Sequence, residues 1–400
     1  MLCEAPFLGI TIDPAGNINM CCNTMDRQQF DTKITDIDDL EKFFKGKQYE
    51  RLRKKMANLG MERIKNCEVC WIVNQGLEAE VTNYHRRAKD IAQGGIPGLS
   101  APNPHKSFKI EDPVELQYLE MTTSNVCNQT CVMCDSFFST KWKKIEHNFK
   151  RTIHPTFSMS DESVDKILKV LPKLKILQIK GGEPFADKNN LKILTKLALV
   201  NPDCRVILVS NFQHIPDEWW PVLMALNCLQ VGASVDGTHE MFNWIRGGSF
   251  DKVTENIKEF NNLVDCKFGF SVNMCISIYN LYNIKATQEY FKDYTCNVYN
   301  VVQSPTHLSP SIISRKKLQK IIKDDYGDDL TNVSPNLLNI NYLEEIENSI
   351  KIKPSGEILE KTNASEMLIK KFISHTKTMN SVRGFSIYDV EPRLKTIFDE

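Results

Sequence analysis

Residues 119 to 134 read Leu119-Glu-Met-Thr-Thr-Ser-Asn-Val-Cys-Asn-Gln-Thr-Cys-Val-Met-Cys134. The stretch places Cys127, Cys131 and Cys134 in a C-x3-C-x2-C array directly after a short apolar run of the kind that forms a strand. Three thiolates this close suit one soft metal centre better than they suit disulfides. Two centres remain open: a zinc ion with a fourth ligand from elsewhere, or an iron–sulfur cube that keeps one iron free of protein ligands.

Size and composition limit the classes of protein that this chain can be. Four hundred residues is more than one typical domain. Lys and Arg together equal Asp and Glu, 50 each, so the net charge gives no electrostatic case for binding nucleic acid. No apolar run approaches the ~20 residues of a membrane helix, and the first residues lack the pattern of a secretory signal. The thirteen cysteines are therefore expected to be metal ligands and free thiols in a reducing cytoplasm.

Strands and helices alternate from residue 114 to about 303, which predicts a parallel sheet with crossover helices. We expect a core over residues 114–309, preceded by a linker rich in Gly and Pro over 92–113. A mainly helical extension is expected over 310–400. The predicted strands are 114–121, 174–179, 205–209, 229–235, 267–275 and 297–303.

The first 91 residues form a separate cysteine-bearing unit by spacing. A turn at Gly16 predicts a hairpin with Cys3 and Cys21 near its ends, and a C-x2-C pair follows at Cys67 and Cys70. Four thiolates can close one site, which could hold either zinc or an iron–sulfur cluster. Cys22 is an alternative to its neighbour as the second ligand.

Polar residues and glycines follow the predicted strands, at the edge where α/β folds bind ligands. Glycines admit a close backbone approach, a carboxylate suits a ligand ammonium, and an arginine fork suits a ligand carboxylate. The candidates after strands two to four are Gly181, Gly182, Glu183, Ser210, Asn211, Ser234, Asp236 and Arg246. On the fifth strand Ser271, Asn273 and Cys275 alternate onto one face.

The three-cysteine array, followed by Gly-Gly-Glu ~50 residues later and by the segment from Ser234 to Arg246, resembles the radical S-adenosylmethionine (SAM) superfamily. The resemblance implies a partial (β/α)6 TIM-like barrel whose three cysteines hold a [4Fe–4S] cluster bound to SAM. It implies contacts of the Gly-Gly-Glu motif with the SAM amino group, of Ser234 with the ribose and of Arg246 with the carboxylate. At the position before Cys134 the family often has an aromatic residue near adenine, whereas this chain has Met133. Asn273 is a further candidate for contact with SAM.

The cysteine-bearing unit resembles the twitch domain, a short form of the SPASM auxiliary-cluster domain. Cys3, Gly16 and Cys21 match its pattern. The resemblance implies that Cys3, Cys21, Cys67 and Cys70 hold a second [4Fe–4S] cluster in a small α+β domain. The chain departs from most such enzymes because this unit precedes the core, and zinc remains the alternative.

The activity that the resemblance implies is reductive cleavage of SAM to a 5′-deoxyadenosyl radical, which takes a hydrogen atom from a substrate. An electron donor such as flavodoxin or ferredoxin would supply the electron, and the second cluster would act as an electron conduit. Oxidative modification of a peptide or protein side chain is the first expectation. A small-molecule substrate (a carbohydrate or metabolic precursor) and a non-catalytic zinc protein are the alternatives. Cys275 could return a hydrogen atom to a substrate radical, or could be an inert buried thiol.

Overall fold

The computed structural model describes residues 5–21, 30–60, 114–266, 269–327 and 364–399, together with Cys3, Ile64, Cys67 and Leu337. Within these residues the strands form one eight-stranded sheet in the order β2-β1-β3-β4-β5-β6-β7-β8. The strands are β1 Gly9–Ile12, β2 Ile18–Asn19, β3 Tyr118–Met121, β4 Ile176–Ile179, β5 Arg205–Ser210, β6 Leu229–Ser234, β7 Phe270–Ile276 and β8 Thr295–Val301.

Strands β1 and β3 to β8 run parallel to one another. Strand β2 pairs antiparallel with β1 at the edge of the sheet. The fold is therefore α/β with a mostly parallel sheet. The six strands predicted after residue 114 are present, with boundaries moved by a few residues. Their parallel order brings the loops that follow β3, β4, β5 and β6 to the same edge of the sheet.

The N-terminal hairpin differs from the expected separate unit, because β1 is hydrogen-bonded alongside β3 and joins the sheet of the core. Gly9 pairs with Tyr118, and Ile12 pairs with Met121. The first strand of the hairpin begins only at Gly9, since Phe7 belongs to a helical turn. Apolar residues of this segment bury themselves in the same core as the rest of the sheet. The predicted linker over 92–113 lies outside the described residues, so the domain boundaries stay predictions.

Helices follow the strands in the alternation that the sequence predicts. Two of the helices begin at a serine cap: Ser160 Oγ accepts from the Ser163 N–H, and Ser249 Oγ accepts from the Lys252 N–H. The helices are α1 Ala5–Leu8, α2 Leu40–Lys45, α3 Lys47–Leu59, α4 Trp142–Asn148, α5 Asp161–Val170, α6 Lys188–Val200, α7 Trp220–Ala225, α8 His239–Arg246, α9 Phe250–Leu263, α10 Ile284–Tyr290, α11 Arg315–Tyr326, α12 Ala364–Arg383 and α13 Ile387–Val390.

The two faces of the sheet differ in chemistry. On β3, Leu119 and Met121 point into the large apolar core, which is shared with the helices. The alternate residue Glu120 points the other way, where it accepts from Tyr118 Oη at 2.7 Å and pairs with Lys180 Nζ at 2.8 Å. On β7, Ser271 donates to Asn273 Oδ1 at 3.0 Å. The face away from the main core thus carries polar and charged groups.

Helix α12 and the turns near it form a second apolar core. Phe372 and Met379 of α12 are buried there with Val132, which lies within the three-cysteine stretch, and Trp142, which follows it. Helix α12 therefore packs against the three-cysteine stretch and the helix that follows it. No helix in the described ranges is long and apolar enough to cross a membrane.

Candidate functional site

The three-cysteine loop leaves the carboxyl end of β3 and is anchored on both sides. Asn125 Nδ2 donates to the carbonyls of Ser136 and Pro155 at 3.1 and 3.0 Å. Farther along, the Thr130 N–H donates to the Arg246 carbonyl, and the Val132 N–H donates to the Ile245 carbonyl. The loop therefore rests on the last turn of α8. These hydrogen bonds fix the backbone of the loop and therefore the positions from which its three cysteine side chains extend.

The thiols of Cys127, Cys131 and Cys134 are half-buried on this loop. Burial, together with the smaller effect of the neighbouring Cys131 thiol, raises the pKa of Cys127 to about 12. Burial, with the same mutual repulsion, raises the pKa of Cys134 well above its ordinary value. Thiols in this environment stay neutral until a metal displaces their protons.

The arrangement of donors fits an iron–sulfur cluster. Among the described residues, no three His, Cys, Asp or Glu side chains converge closely enough to hold one metal ion. A zinc ion requires its ligands around one point. Each cysteine of a cube binds its own iron, so sulfur ligands of a cube stand farther apart. The chemistry of the donor set, three soft thiols on one half-buried loop, fits an iron–sulfur cluster.

Gly181 and Gly182 allow the loop after β4 to lie against the three-cysteine loop. Gly181 has φ +99°, which favours glycine, and a Cβ at Gly182 would overlap the carbonyl oxygen of Val126. The next amide, of Glu183, donates to that same carbonyl at 2.7 Å. The two glycines therefore place Glu183 beside the start of the cysteine array.

The Glu183 carboxylate is buried, with 3% of the residue exposed, and accepts three hydrogen bonds. One oxygen accepts from Ser210 Oγ at 2.7 Å and the Phe185 N–H at 3.2 Å, and the other accepts from the Asn211 N–H at 2.7 Å. Burial raises the pKa of Glu183, against the effect of these donors. All three donors are neutral, so a carboxylate here retains the capacity to attract a ligand ammonium.

Asn211 links this carboxylate site to the thiols. Its backbone donates to Glu183, and its side-chain Nδ2 lies 2.7 Å from Asn128 Oδ1 and 3.8 Å from Cys127 Sγ. The loops after β3, β4 and β5 therefore meet through one asparagine. Predicted residues from three separate strand ends come together at this point.

Asp236 and Arg246 form a buried ion pair at the other side of the loop. Arg246 Nη1 lies 2.5 Å from Asp236 Oδ2, and their side chains are 11% and 1% exposed. Arg246 Nε also donates to Gln129 Oε1 at 3.1 Å, and the Cys275 N–H donates to Asp236 Oδ1 at 2.8 Å. Burial alone would lower the pKa of Arg246, but Cys131 and Asp236 outweigh it and raise that pKa.

The remaining candidates lie around these two centres. Ser234 pairs in register with Asn273 and is half-buried. Met133 is half-buried and packs against the second apolar core. Burial, together with the smaller effect of Asp236, raises the pKa of Cys275 to about 12. The contacts of these residues with SAM, and the hydrogen-donor role of Cys275, stay predictions.

The auxiliary-site cysteines fall partly within the described residues. Cys3, Cys21 and Cys67 are all buried in the main core. Tyr49 of α3 lies close by: burial, and then the Cys21 thiol, raise the pKa of this phenol well above its ordinary value. Cys70 and Cys22 lie outside the described residues. A second cluster at this site, and the zinc alternative, stay predictions.

Sequence reasoning missed four residues that bind the three-cysteine loop. Gln129 lies inside the loop, and Trp142 begins the helix after it. His375 and Arg383 belong to α12, more than 240 residues farther along the chain. The residue types of Trp142, His375 and Arg383 carry no local signal, since each fits an ordinary helix as well.

Residues 121–277 match the model of the radical SAM superfamily. The chain therefore contains a radical SAM domain, for which the family implies a [4Fe–4S] cluster and SAM. The matched region begins at the end of β3 and ends just after β7, so it includes every strand-end loop described above. The N-terminal cysteines and α12 lie outside it.

Similar proteins include the radical SAM cyclopropyl synthase TigE of Paramaledivibacter caminithermalis, 25% identical over 135 residues. That match covers 32% of this chain and 27% of TigE, so the chain matches about a quarter of its curated relative. Streptococcus suis SuiB bound to SAM aligns with a TM-score of 0.39 and 15% identity over 67% of this chain and 68% of that chain. The anSMEcpe structure with bound SAM aligns with a TM-score of 0.36 and 23% identity over 44% and 48%.

Proposed function

We propose that this protein is a radical SAM enzyme that cleaves SAM reductively and removes a hydrogen atom from its substrate. We further propose that the sheet and its helices form the partial barrel of that superfamily. The observation that carries the proposal is the junction of the Cys127 thiol, the Asn211 amide and the buried Glu183 carboxylate. A soft-metal loop and an ammonium-binding carboxylate are needed side by side for SAM to bind at an open iron.

The cluster with SAM, when bound, would supply a 5′-deoxyadenosyl radical by one-electron cleavage. The chain would contribute binding and orientation. Cys127, Cys131 and Cys134 would hold the cluster, and Glu183 would attract the amino group of SAM. Ser234, Asp236 and Arg246 are proposed for the ribose and carboxylate, and Met133 and Asn273 for further contacts.

We propose a second cluster at Cys3, Cys21, Cys67 and Cys70, as an electron conduit after hydrogen abstraction, with zinc as the alternative. Burial of the first three of these cysteines supports a closed site. The substrate proposed first is a peptide or protein side chain, and a small molecule is the second candidate. The name of TigE describes the formation of a ring, so a product with a new ring is among those to be sought.

The proposal is tested with anaerobically reconstituted protein, dithionite as reductant and SAM. We expect iron and sulfide in the protein, and 5′-deoxyadenosine with methionine as products. Zinc without iron after reconstitution, or iron with no cleavage of SAM, would contradict the proposal.

Glu183→Gln is expected to weaken SAM binding about 10- to 100-fold, because it removes the negative charge opposite the ammonium. The new side-chain NH2 group would also face N–H or O–H groups that are themselves donors. Isothermal titration of the reconstituted protein measures the dissociation constant. Ser210→Ala is the matched control, since it removes one donor and keeps the carboxylate. A Glu183→Gln protein that folds normally and binds SAM as tightly as the wild type would exclude this role.

A further inference from the structure

The C-terminal end of α12 binds the cysteine loop through one arginine. Arg383 Nη1 donates to Thr130 Oγ1 at 2.7 Å, and Nη2 donates to the Thr130 carbonyl at 2.6 Å. Its Nε donates to the Trp244 carbonyl at 2.6 Å. Thr130 directly precedes Cys131, so this guanidinium joins α12, α8 and the cysteine array.

The carbonyls of three successive loop residues each accept from a side chain. Arg383 binds the carbonyl of residue 130, Trp142 Nε1 donates to that of Cys131 at 3.0 Å, and His375 Nε2 lies 3.0 Å from that of Val132. Arg151 can only donate and lies 3.4 Å from His375 Nδ1. Nδ1 therefore accepts, and Nε2 carries the hydrogen that is donated to the loop.

The charge of Arg383 has no carboxylate partner within ion-pair distance in the described part of the chain. Burial lowers the pKa of this guanidinium to about 10, and the Cys131 thiol opposes that effect. The neighbouring Arg246, by contrast, is paired with Asp236. An unpaired, half-buried cation is costly unless an anionic group lies nearby.

Space for the guanidinium depends on Gly247. This residue ends α8 with φ +67°, and a Cβ there would lie 2.5 Å from Thr130 Oγ1 and 2.7 Å from Arg383 Nη1. The helix end thus leaves a gap that Arg383 fills. Its approach to the loop is part of the packing and not a surface contact.

We propose that Arg383 is a positioning residue that fixes the cysteine loop and whose charge favours the reduced state of the cluster held by Cys127, Cys131 and Cys134. The inference rests on the proposed function. Reduction adds one electron from a low-potential donor, forms and breaks no bond, and makes the centre more negative by one charge. A fixed cation beside Cys131 stabilises that reduced state more than the oxidised one.

Redox titration with dithionite, followed by electron paramagnetic resonance of the signal that changes on addition of SAM, tests the charge. Arg383→Met is expected to lower the reduction equilibrium constant about tenfold, a shift of ~59 mV for one electron. Arg383→Lys keeps the charge and should shift the potential by less than half as much. Lys377→Met removes an exposed cation of the same helix and should leave the potential unchanged.

Equal shifts in the Met and Lys variants, or no shift in either, would overturn the electrostatic role. Hydrogen exchange of the metal-free protein tests the positioning role separately. Arg383→Met and His375→Phe should both accelerate exchange of the Val132 amide, which donates to the Ile245 carbonyl, whereas Lys377→Met should not. Unchanged exchange would overturn it. Because this readout needs no iron, it stands even if the proposed cluster is absent.

Discussion

Replacement of Cys127, Cys131 and Cys134 by Ala is expected to abolish SAM cleavage and to remove about four irons per chain. The three thiols are the thiolate donors on the loop that contacts the Glu183 loop. If the N-terminal site also holds a cube, iron falls from about eight to about four. If it does not, iron falls from about four to none. Iron and sulfide analysis of reconstituted protein gives the result.

The control is a Cys228→Ala and Cys266→Ala double variant. These two cysteines are also half-buried, but neither has ligand spacing. The double variant should keep its full iron content and its SAM cleavage. Equal iron loss in both variants would mean that the three loop thiols hold no cluster of their own.

Asp236→Asn is expected to lower the free energy of unfolding by about 3–5 kcal/mol. The substitution keeps the shape but removes the negative charge, which leaves Arg246 buried without its ion-pair partner. Arg246 also holds Gln129, so the effect should reach the cysteine loop. Urea unfolding of the wild type and variant, followed by circular dichroism, measures the loss.

Asp161→Asn is the matched control, because it makes the same change of a paired carboxylate to an amide at an exposed ion pair. Asp161 pairs with Lys192 at 3.1 Å, but both side chains are largely exposed, so the unfolding midpoint should not move. Adding Arg246→Met to Asp236→Asn should recover part of the loss, because the unpaired charge is then gone. A loss no larger than that of Asp161→Asn would contradict the assignment of a stabilising buried pair.

Much of the site could be predicted because its residues follow strands directly. Apolar runs such as that ending at Met121 mark the strands, and parallel order brings their ends to one edge. The sequence therefore placed Cys127, Glu183 and Asn211 near one another without any knowledge of their contacts. The bond between Asn211 and Glu183 uses a backbone N–H, which no residue type reveals.

Other features depend on pairing between distant segments, which local pattern does not encode. Strand β1 reads as half of an isolated hairpin, and only its register with Tyr118–Met121 makes it part of the core sheet. Arg383 stands at the end of a helix, directly before Gly384, where a basic residue is ordinary. Its role is visible only from the position of Thr130.

The hydrogen bond from Arg383 to Thr130 joins residues that are 253 positions apart. It therefore cannot form until synthesis of the chain has passed residue 383. A ribosome adds ~5–20 residues per second, so Arg383 is made about 13–50 s after Thr130. During that interval the Thr130 carbonyl cannot accept from Arg383. The cysteine loop therefore lacks this contact until residue 383 has been made, and iron supplied to the nascent chain before then would meet a loop that Arg383 does not yet support.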